Sequence, residues 1–229
     1  MGYAGRHVVV TGGAGALGRA VTQAFLAAGA YVHVPLHGSR DSELAAESGD
    51  RLSTMPGVDL RDEAAVARFY AALPELWASV HLAGGFAMGK LAETSADEFQ
   101  RQVALNAVTC FLCCKAAAGR MPGGGRIVNV AARPALEPRT GAGMVAYTAA
   151  KAAVAALTGA LGEELVGAGI LVNAIAPSII DTPANRAAMP KSDPAKWVSP
   201  ETLADAILFL ASPGNTAVRG TVMTAYGRS

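Results

Sequence analysis

The sequence predicts one α/β domain, a doubly wound, Rossmann-type parallel sheet of about seven strands with helices on both faces. Short apolar segments that resemble strands alternate with helical segments along all 229 residues. The strand segments are continuous apolar runs, as in sheets that are buried on both faces. Because no linker, repeat or low-complexity tract interrupts the series, we expect residues 1–229 to form a single domain.

The first half of the chain is predicted to contribute four strands and three helices. The first strand runs directly into a glycine-rich turn, and the helix after that turn ends at Gly29. Pro74 follows the third helix, as expected of a residue that cannot continue a helix. The strands are predicted at 6–11, 30–36, 54–58 and 79–83, and the helices at 17–28, 40–47 and 62–73.

The second half is predicted to contain three longer helices and three strands. Thr94 or Ser95 is a suitable cap for the first of these helices, and Pro200 opens the last. Residues 178–198 are polar and contain proline, and they follow a strand at the edge where ligands bind such sheets. They form either a lid over a substrate or a plain surface connection. The helices are predicted at 97–120, 144–166 and 200–211, and the strands at 126–131, 170–176 and 221–224.

Composition and charge argue against several classes of partner. Hydrophobic residues make up 52% of the chain and charged residues 16%, which indicates a well-packed globular protein. The formal net charge of +1 gives no electrostatic reason to expect nucleic acid or an acidic membrane surface as a partner. No segment is predicted to be a leader or a membrane span, so we expect a cytoplasmic protein that acts on a small molecule.

The cysteines Cys110, Cys113 and Cys114 lie within a stretch of five residues on one predicted helix. They are poorly placed for a disulfide with one another. A zinc site requires about four suitably spaced ligands, and no histidine is paired with them in the sequence. We therefore expect buried reduced thiols and no metal.

A glycine-rich turn, Thr11 to Gly18, lies between the first strand and the first helix. Glycines at 12, 15 and 18 allow the backbone to approach a pyrophosphate, and the helix N-terminus favours its negative charge. Without a ligand, the same residues would simply form a tight turn. The position between strand and helix favours a dinucleotide site.

Tyr147 and Lys151 are four residues apart at the start of an alanine-rich helix, so their side chains share one helix face. A tyrosine with its ordinary pKa of about 10 is a poor base at neutral pH. A nearby ammonium group favours the phenolate and lowers the phenol pKa. The pair is interpreted as a general acid/base for carbonyl or alcohol chemistry, although the spacing alone also suits an ordinary surface pair.

Taken together, these motifs resemble the short-chain dehydrogenase/reductase family over residues 6–227. The shared motifs follow one another in the family's order: residues 11–18, 82–84, Asn106, Tyr147 with Lys151, and 172–177 leading to Thr182. The resemblance implies that Tyr147 is the acid/base and that Lys151 lowers its pKa and holds the nicotinamide ribose. It also implies that Asn106 binds a water linking that lysine to solvent.

The resemblance further implies a set of residues that contact a nicotinamide dinucleotide. They come from the glycine turn, from the ends of the second and third strands, from the run after the fourth strand, and from the active-site helix and the sixth strand. The set comprises Gly12, Gly15, Ala16, Leu17, Gly18, His37, Arg40, Asp59, Leu60, Ala83, Gly84, Lys151, Pro177 and Thr182.

Two departures from the family pattern bear on the substrate. The run after the fourth strand is His-Leu-Ala-Gly at 81–84, where the family usually has Asn-Asn-Ala-Gly. Ala132 fills the position of the usual substrate-binding serine, and Thr140 is a candidate replacement. Both departures, with residues 181–190 and Trp197, resemble the dihydropteridine reductase branch, whose members reduce an electrophilic quinonoid ring.

The end of the second strand bears on the choice of cofactor. A carboxylate there would bind the ribose hydroxyls of NAD, but Leu36 occupies the position. His37, Ser39 and Arg40 could hold a 2′-phosphate, as could Arg19. We therefore expect NADP(H) to be favoured over NAD(H), although the resemblance to dihydropteridine reductases points towards NADH.

Two further expectations concern the activity and the assembly. A different class of function, a dinucleotide-binding sensor without catalysis, is favoured by Ala132 and opposed by Asn106, Tyr147 and Lys151. The two long central helices carry many small residues, and the family often pairs these helices across two-fold axes. We expect a homotetramer or a homodimer.

Overall fold

The strands form one seven-stranded parallel sheet with the order β3-β2-β1-β4-β5-β6-β7. The computed structural model describes residues 2–38, 44 and 46–228. Six of the seven strands lie within two residues of their predicted bounds, and the sheet confirms the Rossmann-type prediction. The strands are β1 His7–Thr11, β2 Tyr31–Pro35, β3 Leu52–Met55, β4 Ala78–His81, β5 Gly125–Val130, β6 Ile170–Pro177 and β7 Val222–Ala225.

Side-chain caps fix the start of several helices, including the predicted cap Ser95, whose hydroxyl accepts the Glu98 N–H. Asp62 and Ser199 cap two other helices in the same way. The described helices are α1 Ala16–Ala27, α2 Glu63–Ala71, α3 Ala96–Val103, α4 Thr109–Ala118, α5 Arg133–Leu136, α6 Val145–Glu164, α7 Pro183–Ala188 and α8 Pro200–Ala211.

Both faces of the sheet are covered, because apolar side chains of the strands pack into two cores, one on each face. On one face α1 and α8 pack together through residues such as Phe25 and Leu203. On the other face α2, α4 and α6 cover the sheet through Phe69, Cys113 and Val154. This arrangement confirms a single doubly wound domain for the described residues.

The order of strand addition reverses between β1 and β4, and the crevice at this switch point is the usual ligand site of such sheets. The two strands end together, with Thr11 paired to His81. The Thr11 hydroxyl accepts the Ala83 N–H at 3.2 Å, which fixes the chain after β4 beside the glycine turn. The backbone thus brings the two predicted cofactor segments into contact.

Three details differ from the sequence prediction. β3 ends at Met55 rather than at 58, because Pro56 and Gly57, with its φ of 74°, form a turn there. The helix predicted at 97–120 contains a π-helical turn, Ala104–Val108, between α3 and α4. The short helix α5 and the helix α7 were not predicted. The helix predicted at 40–47 falls largely outside the described residues.

α6 is long and apolar enough, by length and composition, to cross a membrane. In the domain, however, Ala150, Val154 and Thr158 are buried, and Lys151 reaches the backbone of β5. We therefore interpret α6 as a core helix of the α/β domain.

Candidate active site

The glycine turn has the backbone that the dinucleotide prediction requires. Gly12 has a φ of 69°, and a Cβ there would lie 2.8 Å from the Ala83 nitrogen. At Gly18 a Cβ would lie 2.0 Å from the Gly12 carbonyl oxygen, so only glycine fits. α1 begins at Ala16, followed by Leu17, and no described side chain caps the first N–H groups of the helix. Those N–H groups can hold a pyrophosphate.

Lys151 and Tyr147 lie at the carboxyl ends of β4 and β5, with the lysine ammonium over the face of the tyrosine ring. Lys151 Nζ donates to the Val130 carbonyl oxygen at 2.8 Å and lies 5.9 Å from the centre of the Tyr147 ring. Phe86 packs edge-on against that ring, with 5.0 Å between ring centres. Phe86, which the sequence reasoning missed, thus holds the tyrosine ring from one side.

Tyr147 and Lys151 both have pKa values shifted from those usual for their residue types. Burial raises the pKa of the Tyr147 phenol to about 12. Burial also lowers the pKa of the Lys151 ammonium to about 8, with a smaller opposing effect of Cys110. The effect of Lys151 on the phenol pKa stays a prediction, since in this structure the ammonium donates to the Val130 carbonyl oxygen.

Asn106 lies in the π-helical turn, which widens the helix at this one position. Its side chain binds the Gly85 backbone twice: Nδ2 donates to the carbonyl oxygen at 3.0 Å, and Oδ1 accepts the N–H at 3.3 Å. A Cβ at Gly84 would lie 2.6 Å from Asn106 Oδ1 and 3.6 Å from Lys151 Nζ. Asn106, Lys151 and the glycines after β4 therefore share one small space.

Ala132 follows β5 at the position predicted from the sequence, and it is buried. The suggested substitute, Thr140, is exposed and donates its hydroxyl to the Glu137 carbonyl oxygen at 2.8 Å. Its hydrogen is therefore already used within its own turn, which argues against that suggestion. Next to Ala132, Arg133 pairs with Glu137 at 2.8 Å and stacks on Tyr226, a contact between residues distant in sequence.

The adenosine end of the predicted site has no carboxylate directly after β2 among the described residues. Leu36 is buried there and His37 is exposed. Asp59 forms a two-point ion pair with Arg61, which holds its pKa at about 2, and Leu60 packs against the core. Arg19 pairs with Glu47 at 2.8 Å. Arg40 lies outside the described residues. Arg61, a cation at this end, was missed by the sequence analysis.

The segment 178–198 is more ordered in its backbone than predicted. It leaves β6 at Pro177, and Thr182 caps α7 by accepting the Asn185 N–H. Its base is closed by two backbone hydrogen bonds, from Asp181 to Val198 and from Val198 to Ile179. The segment is therefore a loop with a fixed base and a largely exposed tip.

The cysteines are buried free thiols, as predicted. The expectation that no histidine pairs with them is wrong. Ligand atoms of His81, Cys110 and Cys114 lie within 4.8 Å of one another, because β4 and α4 pack together.

Comparisons with known proteins agree with this geometry. A family model described as enoyl-(acyl carrier protein) reductase matches residues 12–227. The cyclic-di-GMP-binding biofilm dispersal mediator protein of Escherichia coli is 30% identical over 234 residues, which cover 98% of this chain and 97% of that protein. The 2-dehydro-3-deoxy-L-rhamnonate dehydrogenase (NAD(+)) of a Sphingomonas strain is 35% identical over 189 residues, which cover 79% of this chain and 74% of that protein. A blue fluorescent protein from a metagenomic library, solved with NADPH, has a TM-score of 0.87 at 27% identity, covering 99% of this chain and 98% of that one.

The fold and the glycine turn, together with these comparisons, indicate an oxidoreductase that uses a nicotinamide dinucleotide. With the family match over residues 12–227, the chain belongs to the short-chain dehydrogenase/reductase family. None of these comparisons points specifically to its dihydropteridine reductase-like branch.

Proposed function

We propose that this enzyme reduces a carbonyl or quinonoid carbon of a small molecule, with Tyr147 as the proton donor. The observation that carries the proposal is the convergence of Asn106, Lys151 and the glycines after β4 next to the glycine turn. This is the crevice at the switch point of the sheet, where a dinucleotide fits the open N-terminus of α1. The bound nicotinamide supplies the hydride.

The protonation state of the site favours the reductive direction. With a pKa of about 12, the Tyr147 phenol keeps its proton throughout the neutral range and can give it to the substrate oxygen. Lys151, with a pKa near 8, is mostly charged at neutral pH and can stabilise the phenolate that remains. This role requires the ammonium to leave Val130 and approach the phenol. We propose that occupation of the site favours that movement.

The alanine at 132 supports an electrophilic substrate. A serine at this position would donate a hydrogen bond to a substrate oxygen, and a methyl group cannot. The chain would then act best on a carbon that is already electron-poor, such as that of a quinonoid ring. This is the chemistry of dihydropteridine reductases, and a quinonoid pterin is the finer candidate.

We propose NADP(H) as the preferred cofactor. The buried Leu36 offers no carboxylate to the ribose hydroxyls, while His37 lies next to it and Arg61 lies at the adenosine end of the site. Arg19 and Arg40 remain candidates from the sequence. Fluorescence titration should give a lower Kd for NADPH than for NADH, and His37→Ala with Arg40→Ala should narrow the difference. Equal Kd values in the wild type would refute this preference.

We also propose that residues 178–198 cover the substrate. Two backbone hydrogen bonds fix the base of this loop, and its tip, which includes α7, is largely exposed and would move as a unit. Closure would exclude water from the reaction.

A second candidate is a sensor that binds a dinucleotide without turnover. Ala132 favours it, as does the name of the Escherichia coli relative, which describes a cyclic-di-GMP-binding protein. Under this candidate, the chain would bind cyclic di-GMP or NADPH, and no carbonyl or quinonoid compound would stimulate oxidation of NADPH.

A substrate panel with a matched variant separates the two candidates. NADPH oxidation is followed over ketones, aldehydes, quinones and a quinonoid dihydropterin. Tyr147→Phe should lower turnover by ~10²–10⁴-fold, the usual contribution of a general acid, and leave the Kd for NADPH nearly unchanged. Turnover of Tyr147→Phe within threefold of the wild type would contradict the role of Tyr147 as proton donor. No turnover over the whole panel, with intact NADPH binding, would favour the sensor.

A further inference from the structure

A cluster of soft ligand atoms lies where α4 packs on β4 and β5. His81, at the end of β4, faces Cys110 and Cys114 on one side of α4, and all three side chains are buried. Cys114 Sγ lies 3.5 Å from His81 Nδ1. Both atoms also approach one oxygen, Asn129 Oδ1 on β5, at 3.4 Å and 2.8 Å. Four potential ligands from β4, β5 and α4 thus converge.

Hydrogens occupy the centre of this cluster in the metal-free chain. Asn129 Nδ2 donates to the Thr158 hydroxyl at 3.0 Å, so Asn129 Oδ1 is the acceptor on the other side of the amide. His81 Nδ1 and the Cys114 thiol therefore both donate towards that oxygen. These are the hydrogens that a cation bound between the same atoms would replace.

We propose that His81, Cys110, Cys114 and Asn129 form a binding site for a divalent thiophilic cation, with Zn(II) as the best-fitting example. Thiolate and imidazole ligands suit zinc, and an amide oxygen completes a set of four. On binding, the two thiols lose their protons to solvent and their sulfurs bind the metal. Two thiolates and one divalent cation are neutral together, as a buried site requires.

The hydrogen-bond partners of His81 permit a metal ion to replace the hydrogen on Nδ1. The ring must carry its hydrogen on Nε2 so that Nδ1 is free to bind the metal. Nε2 lies 2.9 Å from the Ser79 hydroxyl, which lies 2.9 Å from the Tyr70 hydroxyl. A hydroxyl both donates and accepts, so Ser79 can donate to Nε2 in the metal-free chain and accept from it in the metal-bound chain. Such a partner orients a metal-binding histidine.

The distances are close to those of a tetrahedral site. Ligands ~2.0–2.3 Å from zinc lie ~3.3–3.8 Å from one another, and the Cys114–His81 pair already meets this. The His81–Asn129 pair, at 2.8 Å, must open by ~0.5 Å. The widest separation among the three, no more than 4.8 Å, must close by ~1 Å. With four protein ligands and no open position, the metal would be structural and would fasten α4 to β4 and β5.

The test measures zinc in the full-length protein after incubation with zinc and gel filtration. We expect one zinc per chain and a higher Tm with zinc than with a chelator. Cys110→Ala and Cys114→Ala should each weaken zinc binding at least ~100-fold, because even the partners that only orient a ligand contribute ~10–100-fold. Cys113→Ala is the matched control: Cys113 is equally buried on the same helix and is not part of the cluster.

A spectroscopic arm needs no variant and covers the case in which a cysteine variant does not fold. Cadmium added to the wild type should give the ultraviolet band of thiolate-to-metal charge transfer, and excess zinc should remove it. The proposal is overturned if the wild type retains no zinc and gives no such band. It is equally overturned if Cys110→Ala and Cys114→Ala bind zinc as tightly as Cys113→Ala. None of these readouts depends on enzymatic activity.

Discussion

At the scale of single residues, Ala132 is the position where this chain departs most clearly from its family pattern. Its backbone is extended, with φ −161° and ψ 161°, and its side chain is buried at the end of β5. A serine there would keep this backbone and add one hydroxyl, so the difference from the family pattern is chiefly the loss of one hydrogen-bond donor.

Ala132→Ser should raise kcat/KM for simple ketones by roughly tenfold while changing that for quinonoid compounds little. A neutral hydrogen bond contributes ~0.5–1.5 kcal/mol, and ~1.4 kcal/mol corresponds to tenfold. Steady-state kinetics on both substrate classes measures the effect. Ala135→Ser, on the neighbouring helix α5, is the control. An equal gain for both classes would contradict the role assigned to this position.

At the scale of elements, the turn between β1 and α1 depends on one close approach. A side chain at residue 18 would collide with the Gly12 carbonyl oxygen, whereas a Cβ at Gly15 would lie 3.4 Å from that oxygen, an ordinary contact. The two glycines therefore differ in what they tolerate although both belong to the same motif.

Gly18→Ala should weaken NADPH binding by tenfold or more and lower the Tm, since overpacking of this kind costs ~1–3 kcal/mol. Gly15→Ala should keep most of the NADPH affinity and most of the Tm, because a Cβ at residue 15 has room. Titration calorimetry and thermal unfolding of the two variants give the comparison. Similar losses at both positions would show that the close approach is not the determining contact.

A second prediction for an element concerns the pair His7 and His33 on β1 and β2. Their ring nitrogens lie 2.9 Å apart, and burial, with His7 nearby, lowers the pKa of His33 to about 4. The unfolded chain binds a proton there near pH ~6.5, so between these values it holds more protons than the folded chain. Stability is thus complete above pH ~6.5 and falls as the pH falls towards ~4.

Urea unfolding should therefore give a free energy of unfolding about 1–2 kcal/mol lower at pH ~5 than at pH ~7 through this site. His33→Gln should remove that part of the pH dependence, and His37→Gln, at an exposed histidine, should not. If the slope of stability with pH is the same in both variants, His33 is not its source.

At the scale of the whole molecule, apolar side chains remain exposed on the outer side of the long helices. They include Phe99, Val108 and Phe111 around the π-turn and Val145 at the start of α6. Ala156, further along α6, is also exposed. These residues support the predicted helix-to-helix assembly into a homotetramer or a homodimer.

Ala156→Glu should dissociate that assembly, because the exposed position would place charges opposite one another across a two-fold axis. Light scattering at micromolar concentration should show an oligomer for the wild type and a smaller species for the variant. Ala67→Glu, at an exposed alanine on α2, is the control. A monomeric wild type would refute the assembly.

Local patterns were sufficient for most of the fold and for part of the site. Apolar runs located the strands, and the four-residue spacing located Tyr147 and Lys151. The cluster of His81 with Cys114 could not be predicted, because the two residues are 33 positions apart and meet only when α4 packs on β4. The orientation of Lys151 towards Val130 could not be predicted from the sequence either, since it depends on a backbone oxygen of β5.

The π-turn at 104–108 has a consequence for how this chain can vary in length. A π-turn holds one residue more than the α-helical turn it replaces, so it absorbs an extra residue while α3 and α4 keep their places along one continuous helix. Deleting one of the four residues beside Asn106 would give a regular helix and would leave the buried face of α4 largely in place. The two hydrogen bonds of Asn106 with Gly85, which depend on the widened turn, would be lost. A one-residue deletion here should therefore disturb the candidate site more than the fold.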